Sequence, residues 1–223
     1  MIEPLSMRNE LPKSYYPLTL DEISNAREII HGMKLIRDNV QSLFDEACLL
    51  ADNGHLARAF TLFQLLNEES AKVEVLAASI IERNLHKNDI QKIMRRLQSH
   101  STKNKINAYS SIPMSTDEYC DPSIFKNKQN DFHCKFNTLK NASLYVDFQN
   151  GSFETPLQKI KEKDLKEVVS ICKSQIIMCN MAITVVEKYI TDPEKLLKSV
   201  EPLMQKQMDY VSSILNKSKD QEP

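Results

Sequence analysis

Two long stretches carry apolar residues at three- and four-residue spacing, and only Asp52-Asn53-Gly54 separates them. That spacing is the period of a helix with one buried face. The first stretch opens on Thr19-Leu20-Asp21-Glu22, a capping box in which Thr19 caps the helix and Glu22 reaches back to it. Its stripe runs through Ile23, Ala26, Ile30, Met33, Val40, Phe44 and Ala47 and predicts a helix to about Ala51. The second, from about His55 to Arg83, places Ala59, Leu62, Phe63, Leu66, Val73, Ala77 and Ile80 on one side. A three-residue break between two such helices predicts an antiparallel hairpin. With 3 Gly in 223 residues, the chain lacks the positive-φ positions that a glycine-rich nucleotide fold or a β-barrel needs.

The rest of the chain continues the helical pattern with one interruption. Asn88 or Asp89 is expected to cap a third helix, with Ile90, Ile93, Met94 and Leu97 facing inward and an end at or beyond His100. Residues 111–159 lose the period and read as a polar insertion. Within it Leu144, Val146 and Phe148 alternate ahead of Asn150-Gly151, which predicts a short β-hairpin. A long helix returns from about Lys161 to Ile190, with Gln175 the polar member of its stripe, and Asp192-Pro193 starts a last helix to about Asn216. The expected architecture is all-α in the main: an arm at 1–18, one helical domain at 19–216 and a frayed tail at 217–223. No run of 18 uninterrupted apolar residues occurs, the N-terminus lacks a secretory pattern, and five cysteines form no C-x-x-C pair. A reducing cytoplasm, no membrane span and no disulfides are the expectation. His133-Cys134 with Cys120 lacks a second paired spacing, so neither a metal nor another cofactor is expected.

Charge is uneven along the chain. Between Arg83 and Lys105 seven basic residues stand against one acid, Asp89, which makes this segment +6 in a chain of net charge −1. Clustered cations suit a polyanion, although a solvated helix face beside an acidic neighbour has the same composition. Within the segment lies "RRLQSHSTK". A histidine moves protons near neutral pH, and an arginine holds a phosphate by two parallel hydrogen bonds. His100 with Arg95 or Arg96 is therefore a candidate pair for cleaving RNA without a metal, with Lys92 and Lys103 as further phosphate contacts. Arg96 and His100 share a helix face; Arg95 and His100 converge only if the helix starts or bends between them.

The second cluster is "LLNEESAKVEVL". Glu68 and Lys72, four apart, read as a surface ion pair. Glu69 has Leu62, Leu65, Leu66, Val73 and Leu76 at helical spacing and reads as a carboxylate needing a partner. Arg37 interrupts the first apolar stripe in the same way. It lies 15 residues before Asp52, and Glu69 lies 15 after Gly54, so antiparallel helices are expected to pair them.

The segments "HLARAFTLFQLLNEESAKVEVL", "RRLQSHSTK" and "KNASLYVDFQNGSFETP" resemble the AbiV family of abortive-infection proteins, over about residues 20–190. The family pattern falls on Ala59, Leu62, Glu68, Glu69 and Lys72, then on His100 and Lys103, then on Leu144 to Phe148. The resemblance implies a HEPN-like helical bundle, usually a homodimer. In many HEPN relatives an Arg, four to six intervening residues and then a His form a metal-independent ribonuclease site. Arg95 and His100 fit that spacing; Arg96 fits it less well. RNA is the implied substrate, phage defence the implied role, and a phage or host protein the implied trigger or inhibitor. The alternatives are a non-catalytic module of the same fold that binds such a protein, or a nucleotide-binding module.

Overall fold

The computed structural model describes residues 16–96, 138–149 and 151–200. The fold is mainly α with one small antiparallel hairpin. Helix α1 spans Leu20–Asp52 and α2 spans Leu56–Ile81. Thr19 and Glu22 form the expected capping box, with the Thr19 amide donating to the Glu22 carboxylate at 2.8 Å. The hairpin turns at Gly54, whose φ of 78° lies in the left-handed region that a side chain disfavours.

Helix α2 ends with Arg83 in the same region, at φ 60°. The Asn84 amide donates to the Ser79 carbonyl and the Arg83 amide to that of Ile80. This is the closing pattern that usually takes glycine. Helix α3, described over Lys87–Arg96, follows at once. It starts ahead of the expected Asn88 or Asp89 cap, because the His86 carbonyl accepts the first helical amides, those of Asp89 and Ile90. Asp89 lies in the first turn instead, where a negative charge meets the positive end of the helix.

Helix α4 is described over 138–144, where the sequence pattern suggested none. Strands β1 (Asp147–Gln149) and β2 (Ser152–Glu154) then pair antiparallel, Phe148 opposite Phe153, around Gly151 at φ 81°. A single turn, α5 (Pro156–Lys159), leads into α6 (Glu162–Thr191). A last helical segment, α7, is described over 193–200, and the Asp192 carboxylate caps it by accepting from the Lys195 amide at 2.9 Å.

Helix α2 packs between α1 and α6. One end of the core gathers Ile29, Ile30 and Met33 from α1, Val73, Leu76 and Ile80 from α2, and Ile183, Val186 and Tyr189 from α6. The other gathers Val40 and Ala47, then Phe60, Phe63 and Leu66, then Val168 and Cys172. Both expected core thiols are buried. Burial pushes Cys172 far above its ordinary value, and burial with the nearby Glu74 carboxylate pushes Cys179 up to about 12. By length and composition α6 is apolar enough to cross a membrane, although its inner face supplies Cys172, Gln175, Cys179 and Val186 to the core.

Candidate functional site

Helix α3 has two unlike faces. Ile90 and Met94 pack against the core, while Lys87, Lys92 and Arg95 are exposed. The period of the sequence accounts for most of this split: residues 90 and 94 are one turn apart, residue 92 falls on the opposite side and 95 well round from them, while Lys87 is exposed as the first residue of the helix. Lys92 approaches Asp89 at 3.5 Å and stays 70% exposed, so most of its charge is offered to solvent. Arg95 stands on this open cationic face at the described end of the helix. Arg96 closes the described part of α3; its side chain, His100 and Lys103 lie outside the described residues.

Beside the start of α3 lies a cleft of about 1200 Å³ between the first turn of α1 and the loop that ends α2. Thr19, Glu22, Asn25, Arg83, Asn84 and His86 line it. The Arg83 guanidinium meets Glu22 through two bonds, Nε to Oε1 at 3.0 Å and Nη2 to Oε2 at 2.5 Å, and also donates to the Pro17 carbonyl at 3.3 Å. This bond set holds the Glu22 carboxyl down at about 2. The ion pair thus ties the loop that ends α2 to the first turn of α1 within this cleft.

The acidic pair on α2 is arranged differently from the expectation. Glu69 is half-buried and pairs with Lys72 at 2.6 Å; Glu68 is the buried carboxylate, 2% exposed, and pairs with Lys140 of α4 at 2.5 Å. Arg37 does not pair with Glu69. Its guanidinium turns to the adjacent Asp38, with Nη2 to Oδ1 at 2.7 Å. The reason lies in how α2 is covered. The row through Leu62, Leu65, Glu69 and Lys72 is only partly covered, so a charge there reaches solvent along its stem. The row through Thr61, Gln64 and Glu68 is buried because α4 closes over it. Counting apolar neighbours along one helix cannot reveal a segment that arrives from 72 residues away.

Sequence reasoning therefore missed Lys140 and Ser143. Ser143 is fully buried, its hydroxyl 2.9 Å from that of Thr61. Lys140 and Ser143 are three apart, as are two groups on one helix face, and this was the one signal available. Farther along α2, Asn67 accepts from the Cys172 thiol at 3.6 Å, and Gln64 and Gln175 are each 1% exposed. A line of polar groups is thus enclosed between α2, α4 and α6. The Gln64 amide nitrogen has no hydrogen-bond partner among the described residues. Among the described residues, no three His, Cys, Asp or Glu side chains converge as metal ligands would.

The hairpin turns its faces the wrong way round for burial. Asp147 and Glu154, on one face, both reach Lys159, at 3.3 and 3.8 Å, and Lys159 is only 11% exposed. Val146, Phe148 and Phe153 point to solvent on the other face, the two rings meeting edge to face at 4.9 Å. Tyr145 and Leu157 extend the exposed apolar surface.

A long helical hairpin, a third helix presenting cations, and an "EE-x-x-K" segment whose Glu68 is buried against Lys140 define a HEPN-type helical domain. A family model, HEPN_AbiV, described as AbiV, matches residues 28–176, well over half the chain. The chain belongs to the AbiV family of the HEPN superfamily, a family of abortive-infection proteins. No curated protein and no solved structure matches it.

Proposed function

We propose that this protein is a metal-independent endoribonuclease toxin that acts as a homodimer in the cytoplasm and arrests translation or phage growth. The observation that carries the reading is the exposed cationic face of α3, with Arg95 on it five residues ahead of His100. In this chemistry His100 takes the proton from a ribose 2′-hydroxyl, and the 2′-oxygen attacks the adjacent phosphorus. The bond from phosphorus to the 5′-oxygen breaks, and that oxygen leaves as a hydroxyl after taking up a proton. Arg95, or Arg96 in its place, stabilises the charge that builds on the phosphorane, and Lys92 and Lys103 hold neighbouring phosphates. Glu68 with Lys140, and Glu69 with Lys72, hold α2 in shape behind this surface.

The test is cleavage of RNA by the purified protein in EDTA, with end-group analysis. The reading requires products with 2′,3′-cyclic phosphate ends. It also requires a loss of about a hundredfold or more in both Arg95→Ala and His100→Ala with helix content unchanged. Variants that cleave as the unsubstituted chain does would refute the assignment.

A second reading, a non-catalytic module that binds a phage or host protein, is supported by the outward apolar face of the hairpin. Contiguous exposed apolar surface rimmed by polar residues marks interaction sites. Under this reading Phe148→Ser with Phe153→Ser abolishes phage restriction, whereas Arg95→Ala leaves it intact.

A further inference from the structure

We propose that the cleft between the first turn of α1 and the loop that ends α2 is a base-recognition site. It takes one unstacked guanine of a single-stranded RNA whose phosphates lie along α3. The proposal rests on the RNA reading above and adds to it a site that selects sequence.

The first observation is a change of sign between two neighbouring surfaces. Among the described residues that line the cleft, three carboxylates, Asp21, Glu22 and Glu82, stand against one guanidinium, that of Arg83. Directly after His86, which also lines the cleft, α3 presents Lys87, Lys92 and Arg95 to solvent, with Asp89 as its one acid. A phosphate is therefore repelled by the cleft and drawn to α3, whereas an uncharged base with N–H donors is accepted where the carboxylates are. Lys87 and Arg95 lie about 12 Å apart along the helix axis, within reach of a short run of nucleotides that starts at the cleft.

The second observation is the form of the cleft. At about 1200 Å³ it exceeds the roughly 300–1,000 Å³ of most small-ligand sites and so admits a base with its sugar. Ile81 and the buried Leu85 give it apolar lining, and His86 is exposed, a ring of the kind on which an unstacked base lies. Its walls are set in advance. Arg83 holds Glu22 by two hydrogen bonds, and the Asn84 amide closes α2 on the Ser79 carbonyl at 2.8 Å, so little ordering of this loop opposes binding.

The choice of guanine follows from which acceptors are open. Both Glu22 oxygens are engaged, by Arg83 and by the Thr19 amide, and one Glu82 oxygen accepts from the Asn84 side chain at 3.0 Å. The Asp21 carboxylate is exposed and has no ion pair among the described residues. Guanine carries a ring N–H and an amino group side by side, and one carboxylate accepts both, as it accepts the two N–H groups of an arginine fork. Uracil offers a single N–H between two carbonyls, which a carboxylate repels. Adenine and cytosine each set a ring acceptor beside the amino group, so one carboxylate oxygen is left facing a lone pair. Asp21 is thus the residue that selects the base, with the second Glu82 oxygen as a further acceptor.

The experiment uses the full chain carrying His100→Ala, so that the RNA stays intact. Fluorescence anisotropy compares a labelled uridine octamer with the same strand carrying one central guanosine. The guanosine strand should bind about tenfold tighter, the worth of one good bidentate contact. Adding Asp21→Asn should make the two strands bind alike with helix content unchanged, whereas adding Arg95→Ala should weaken both by the same factor. Guanosine itself, which has no phosphate, should give saturation-transfer NMR signals that Asp21→Asn abolishes and that inorganic phosphate does not displace. Equal binding of the two strands by the His100→Ala chain would overturn the proposal and leave the ribonuclease reading standing. Guanosine binding without any affinity for RNA would uphold the cleft and remove the ribonuclease reading instead. A preference that survives Asp21→Asn with Glu82→Gln, or guanosine displaced by inorganic phosphate, would also overturn the proposal.

Discussion

Replacing Glu22 with Gln removes the charge that ties Arg83 to the first turn of α1. The two groups are partly open, 27% and 15% exposed, yet they share two hydrogen bonds. The Glu22 carboxyl stands at about 2 against an ordinary 4.5. That difference corresponds to roughly 3 kcal/mol, and solvent screening at a partly open site brings it to about 2. The sign follows from the direction. A carboxyl whose folded-state value is lowered stabilises the fold above the unfolded value and loses that contribution as pH falls through the folded one. The contribution should therefore be full at pH 7, begin to fall near pH 4.5 and be more than half gone by pH 3. Urea unfolding of the unsubstituted chain and Glu22→Gln at a series of pH values isolates the effect, since other acids titrate alike in both. A stability gap of about 2 kcal/mol at pH 7 that closes toward pH 3 is expected. A gap that stays constant over this range, or is below ~0.5 kcal/mol at pH 7, would refute the reasoning. Arg83→Gly sharpens the test: it relieves a left-handed backbone by about 1 kcal/mol while losing the ion pair, so it should destabilise less than Arg83→Ala.

Two further outcomes are expected. Glu68→Gln or Lys140→Met alone should cost about 3–5 kcal/mol, because each leaves a buried charge without its partner, and the double apolar replacement should cost less; urea titration of the four chains measures both. In the folded protein at pH 8, Cys172 and Cys179 should resist a thiol-specific alkylating reagent and react only on unfolding, as mass mapping would show, because both are buried and held protonated.

The elements that write a period into their own residues were legible without a structure. Thr19 and Glu22, the Asn53-Gly54 turn, the hairpin at Asn150-Gly151 and the Asp192 cap each depend on neighbours within four residues. The inward face of α3, with Ile90 and Met94, was legible for the same reason. What was not legible depends on contacts distant in the chain. Glu68 and Glu69 are chemically equal and adjacent, and only the arrival of Lys140 and Ser143 makes one a buried ion and the other a half-open one. Lys140 and Ser143 show no period that says which helix they will meet. Arg37 and Glu69 were matched by height from the turn, which fixes position along the hairpin but not rotation about each axis. Rotation sends Arg37 to Asp38 and Glu69 to Lys72.

Helix α2 has 16 of its 26 residues buried, and they include Thr61, Gln64, Asn67, Glu68, Ser70 and Ser79 beside the apolar ones. Helix α3, one turn farther on, keeps Lys87, Lys92 and Arg95 exposed. Tolerance to change is therefore split between neighbours in the chain. Substitutions on the outer side of α3 should stay within about ±0.5 kcal/mol, while most on α2 exceed 1 kcal/mol. As far as folding is concerned, the outer side of α3 is free to vary while the helix behind it stays fixed, so whatever holds Lys92 and Arg95 in place there is not the stability of the fold. A saturation scan scored by soluble yield should show an intolerant block at 56–81 ending abruptly at the outward positions 87, 91, 92 and 95; equal tolerance in both would contradict it.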